Sequence, residues 1–157
     1  MKVADIIRAP KSDVKVGAWK AGKIPNAAFP LGRALPYGGA WDWRTAEFCA
    51  LGQKFRVLIL LNEELEKYSA VMGMEHDRGL LVLCHHELHT SHKRWHCHFI
   101  SGSIWETFPN VLRDRDRMVG WPKGPDSNWT DPFPVNKDNA LTLAAQRFRF
   151  EEQGGLC

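Results

Sequence analysis

An α+β domain built on an antiparallel sheet, with helices on one face, is the fold class that the sequence predicts. Three observations carry it. The run KFRVLILLN, residues 54–62, is a short apolar segment bounded by Gly52 and an acidic turn, and reads as a strand. LLVLCHHELH and WHCHFISGSIW are two more strand-like runs, separated by the polar TSHKR in the pattern of a β-hairpin. NEELEKYSAVMGM and NKDNALTLAAQRFRFEEQ carry capping residues followed by apolar residues at helical spacing.

Taken in order, residues 1 to about 50 are rich in Gly, Pro and Trp and hold no sustained period. They predict a long loop-rich segment that wraps the domain. Residues 54–62 predict a central strand. Residues 62–74 predict a short helix, with Asn62 as N-cap, glutamates in the first turn, and Leu65, Tyr68 or Ser69, and Met72 on one stripe. Residues 80–89 and 95–104 predict the hairpin strands. The segment 126–135 is proline-rich and irregular, and 137–152 predicts a closing helix, capped by Asn136 or Asp138 and ended before Gly154. The expectation is a single domain over 1–157, its α+β core in 54–152.

Composition bounds the function classes. A chain of 157 residues, 44% of them hydrophobic, can bury one stable core, and a net charge of +3 permits a polyanionic partner without requiring one. Cys49, Cys84, Cys97 and Cys157 form no CxxC pair and follow no signal peptide, which predicts a reducing, cytoplasmic setting. The longest apolar run, VLILL, is far shorter than the roughly 20 residues that span a bilayer, so no membrane role is expected.

Six of the seven histidines fall between His85 and His98. Side chains alternate sides along a strand, so the apolar positions set the register. Leu80, Val82, Cys84, His86 and Leu88 then share a core face with Trp95, Cys97 and Phe99. If Leu88 faces Trp95, the loop is Thr90 to Lys93, Glu87 faces His96 and His85 faces His98. That gathers His85, Glu87, His89, His96 and His98 on one side of a two-stranded ribbon, a geometry able to hold a divalent ion (Zn, Mn or Mg). Cys84 and Cys97 read as core residues.

RWHCHFI resembles the histidine–hydrophobic–histidine strand of the HUH endonucleases, the superfamily of rolling-circle replication initiators, conjugative relaxases and related transposases; the likeness spans roughly residues 80–104. It implies His89, His96 and His98 as metal ligands, joined by His85 on the same face. It also implies a tyrosine nucleophile that becomes linked to a DNA end, single-stranded DNA being the favoured partner. Tyr68 and Tyr37 are the only tyrosines, both upstream of the histidines in the relaxase-like order. Lys93, Arg94, Arg113, Arg115 and Arg117 are candidate phosphate contacts, and the seven tryptophans candidate base-stacking platforms. Two other readings fit the same residues. One is a hydrolase in which Glu87 acts as general base on a metal-bound water. The other is a non-enzymatic binding protein of the phage or plasmid accessory kind, whose hairpin meets a protein partner.

Overall fold

Hairpins of the antiparallel type account for most of the chain. The computed structural model describes residues 1–37, 39–89, 92–120 and 134–151. Helix α1 (Val3–Arg8) is followed by β1 (Ser12–Val16), β2 (Lys20–Ala21), β3 (Asp42–Ala50), β4 (Gln53–Asn62), β5 (Lys67–His76), β6 (Gly79–His89), β7 (His92–Ile100), β8 (Met118–Gly120) and helix α2 (Ala140–Phe148). The strands form one eight-stranded sheet in the order β1-β3-β4-β5-β6-β7-β8, with β2 also paired to β3. All the pairings are antiparallel. The result is α+β in the sense of a large open sheet with two short helices, and more strand-rich than the sequence suggests.

Both faces of the sheet are covered. On one face α1 (Val3, Ile6, Ile7) and α2 (Ala140, Leu143, Ala144, Phe148) pack against Phe48, Phe55, Val57, Ile59, Tyr68, Met72, Leu83 and Cys84. On the other, Ile24, Phe29, Leu31 and Leu35 cover Trp43, Leu58, Leu60, Val71, Leu80 and Val82, with Tyr37 and Trp41 at the margin. Residues 24–37 therefore cover one face. Arg56 fastens them by donating to the carbonyls of Ala27 and Ala28. The first 50 residues are not loop alone, because α1 and β1 to β3 lie within them.

Double coverage also explains the one element of wrong type. Residues 62–74 are not a helix. Asn62 does cap, its Oδ1 accepting from Leu65 N at 3.0 Å, but it caps a single turn that ends at Glu66 in the left-handed region. The chain then continues as β5, with apolar residues on both sides and no polar alternation to betray a strand. The closing helix is shorter than 137–152 and ends at Arg149, whose left-handed backbone (φ 55°) replaces the expected glycine stop. The irregular stretch at 126–135 and the Gly154 boundary lie largely outside the described residues.

A β-bulge sets the faces of β6. Met72 pairs with Cys84 but Gly73 with Val82, so Leu83 is an extra residue. Leu80 and Val82 consequently face the wrapping segment, whereas Leu83 and Cys84 both face the helices. The uninterrupted alternation expected from Leu80 to Leu88 is broken there. Gly73 makes room for the bulge: a Cβ on it would lie 2.6 Å from Leu80 Cδ2.

Candidate metal centre

After the bulge, alternation returns and the β6–β7 hairpin takes the register that its apolar face dictates. His85 pairs with His98, His86 with Cys97 and Glu87 with His96. A second irregularity follows, so that His89 pairs with His92 and the strands run closer to the turn than a Thr90–Lys93 loop would allow. His86, Leu88 and Trp95 belong with the helix-covered face, as the T-shaped contacts of Tyr68 with His86 and Trp95 show. His85, Glu87, His96 and His98 lie on the face of the wrapping segment.

Glu87, His96 and His98 each offer a ligand atom, and these atoms lie within 4.8 Å of one another. His96 Nε2 is 3.3 Å from Glu87 Oε2. Two ligands about 2.1 Å from one ion at a tetrahedral angle are about 3.4 Å apart, so an ion can replace the proton between them with little movement. His98 Nδ1 is buried without a hydrogen-bond partner among the described residues, and its ring stands 5.3 Å from that of His96 at 73°. Burial first, then the neighbouring His96 and Arg113, lower the pKa of His98, which keeps it neutral and able to donate a lone pair. Two imidazoles and one carboxylate suit zinc or manganese better than magnesium, which prefers oxygen.

Arg113 completes the charge balance. Its guanidinium pairs with Glu87 Oε1. Burial alone would raise the Glu87 carboxyl, but the hydrogen bond with His96 and the positive field of Arg113 overcome it and hold the group at about 2. A carboxylate so stabilised is a weak proton acceptor. Glu87, expected from the sequence as a general base, is better suited to holding a cation.

His85 is placed beside the three groups but is not one of them. Its Nε2 donates to the Leu112 carbonyl at 2.7 Å, which fixes the tautomer, and its Nδ1 faces Arg113 at 3.4 Å. Burial and then Arg113 push its pKa down to about 4. With both nitrogens engaged, His85 ties β6 to Leu112 and Arg113 instead of standing free as the expected ligand. Asn110 secures the loop that carries them, its Oδ1 accepting from Leu80 N and its amide donating to Arg78 O.

The remaining expected site residues divide. Tyr37 packs at the edge of the layer that the wrapping segment forms, edge-on to Trp41 at 5.4 Å, and is felt electrostatically by Glu87 and Arg113. Burial, then the Glu87 charge, raise its pKa, and Arg113 opposes this. Tyr68 sits on β5, not on a helix, and faces the other layer. It is 2% exposed, its hydroxyl has no hydrogen-bond partner among the described residues, and burial pushes its ionisation far up. The sheet itself separates it from Glu87 and His96.

Of the three expected contacts in the RDRDR run, Arg113 is taken by Glu87, and Arg117 donates to the Ser101 and Ser103 carbonyls and pairs with Glu106 at 3.3 Å. Arg115 is exposed. The side chains of His89, Lys93 and Arg94 lie outside the described residues. The sequence reading missed the tie between Glu87 and Arg113, since nothing in RDRDR marks a residue that folds back 26 positions onto a strand. No helix among the described residues is long and apolar enough to cross a membrane. No known protein family, curated protein or solved structure matches the chain.

Proposed function

We propose that the protein cleaves or transfers phosphodiesters in single-stranded DNA with a divalent metal ion held by Glu87, His96 and His98, and with Tyr37 as nucleophile. The observation that carries this reading is the convergence of those three ligand groups on one face of the β6–β7 hairpin. A bound zinc or manganese ion would supply Lewis acidity toward a phosphate oxygen. The Tyr37 oxygen then forms the new bond to phosphorus, the bridging phosphorus–oxygen bond to the leaving sugar breaks, and the phenolic proton ends on that sugar oxygen. Arg113 favours the phenolate against burial and Glu87. Trp105 (54% exposed) and Phe108 (69% exposed) stand on the loop that carries Arg113 and can stack unpaired bases.

The test is incubation of an end-labelled single-stranded oligonucleotide with the protein and Mn²⁺ or Zn²⁺. A labelled protein–DNA adduct that survives denaturation is expected. Cleavage without an adduct would transfer the attack to water. Confirmed metal binding with neither cleavage nor adduct would end the nuclease reading and leave the hairpin as a protein-binding surface.

A further inference from the structure

Directly behind the metal centre, on the other face of the same hairpin, the Sγ atoms of Cys84 and Cys97 lie 3.3 Å apart. Cys84 is opposite Phe99 and Cys97 opposite His86, so the two are diagonal neighbours on adjacent strands. They are 0% and 6% exposed, inside the layer packed by the helices. A disulfide needs its sulfurs about 2.05 Å apart, so closure asks for an approach of just over 1 Å. Cys97 stands between His96 and His98 in sequence. Pulling its sulfur toward β6 tilts the backbone that aims both imidazoles to the opposite side.

We propose that Cys84 and Cys97 are a redox-closable dithiol whose oxidation by a peroxide re-aims His96 and His98 and weakens the metal centre. Cys97, with its residual exposure, takes the oxidant. Its sulfur attacks one peroxide oxygen, the O–O bond breaks, and a sulfenic acid and one water result. The Cys84 sulfur then displaces the hydroxyl as a second water and the S–S bond forms. Overall two thiols lose two hydrogens and two electrons, and one hydrogen peroxide becomes two waters. The effect on zinc rests on the metal-centre reading; the closure does not.

The full-length protein is treated with stoichiometric hydrogen peroxide, remaining thiols are alkylated in denaturant, and peptides are mapped by mass. The expected result is Cys84 linked to Cys97. Recovery of both as alkylated thiols while Cys49 is oxidised overturns the proposal. In metal-free protein the His96 and His98 ring signals should shift on closure, and zinc affinity, read by competition with a chelating dye, should fall about tenfold. Unmoved ring signals overturn the coupling. Cys84→Ala and Cys97→Ala should each abolish the response to peroxide, whereas Cys49→Ser should not. A protein that links the cysteines and shifts the ring signals but binds no zinc before or after oxidation sinks the metal reading and leaves the dithiol standing.

Discussion

Glu87 on β6 and His96 on β7 face each other across a hairpin, Oε2 to Nε2 at 3.3 Å, while the other carboxylate oxygen of Glu87 is held by Arg113. One side chain thus serves a neighbouring imidazole and a cation from a distant loop. This arrangement lets a metal ion enter on the His96 side without stripping Glu87 of its second partner.

Removing a ligand should therefore be worse than removing a neighbour. His96→Ala and His98→Ala are each expected to weaken zinc binding by more than about 100-fold, whereas His85→Gln, which acts through Leu112 and Arg113, should cost about 10- to 100-fold. Titration calorimetry checks both, with circular dichroism to confirm the sheet. Equal losses in all three variants would mean that His85 is itself a ligand.

Arg113, on the other oxygen of Glu87, neutralises the carboxylate that a metal ion would use and repels the ion by like charge. Arg113→Met should then tighten zinc binding by several-fold at neutral pH, the reverse of what loss of a structural residue does. On the proposed function the same change removes a cation from the phosphate-binding face, so single-stranded DNA should bind more weakly and with a shallower salt dependence. Fluorescence anisotropy at several salt concentrations measures the second effect. A variant that loses affinity for both would show that Arg113 is needed to build the loop.

The two tyrosines separate mechanism from packing. Tyr37→Phe should abolish the covalent adduct and keep zinc binding, because only its hydroxyl is lost. Tyr68→Phe should keep full activity and leave stability unchanged or raised by up to about 1 kcal/mol, since its buried hydroxyl makes no hydrogen bond. Gel analysis under denaturing conditions reads the adduct, and urea unfolding the stability. An adduct that vanishes with Tyr68 and persists without Tyr37 would reverse the assignment.

How far the sequence discloses this molecule depends on what each segment must bury. The register of residues 85–87 against 96–98 is legible because Leu88, Trp95 and Cys97 alternate with polar histidines, and a one-residue slip would bury those histidines. The run 54–62 is legible from its unbroken apolar character. β5 is not, because both its faces are covered and Asn62 offers a true but local helix signal. Strand β3 does carry part of the alternation of a half-buried strand, but it directly follows a Gly/Pro stretch that dominates the reading of the first 50 residues. In the site, the hairpin ligands follow from local spacing, whereas Arg113, Leu112 and Tyr37 arrive through long connections whose closure no local pattern records. Tyr68 was attractive for its place in sequence and is removed by which side of the sheet it faces.

Acid should unfold this protein through His85 and His86, the two buried histidines among the described residues. Burial first, then Arg113, hold His85 at about 4; burial first, then Arg147, hold His86 at about 3, against an ordinary value of 6.5. In the unfolded chain both take up protons near pH 6.5, so between there and pH 4 the unfolded state binds about two more protons and stability rises with pH. The contribution is complete above pH 6.5 and is lost as pH falls toward 4 for His85 and 3 for His86. Glu87 acts in a different window: its carboxyl, held at about 2 against an ordinary 4.5, stabilises above pH 4.5 and loses its effect only between 4.5 and 2. Between pH 6 and 5 the two histidines should therefore cost about 2 to 3 kcal/mol per pH unit, read from urea unfolding. His86→Leu tests the assignment, since His86 Nδ1 has no hydrogen-bond partner among the described residues and its ring stacks on Trp95 at 5.0 Å. Leucine fills a similar volume without a titrating group, so stability at pH 7 should change by less than about 1.5 kcal/mol while the pH slope falls by about half. A slope unchanged by His86→Leu would place the acid sensitivity elsewhere.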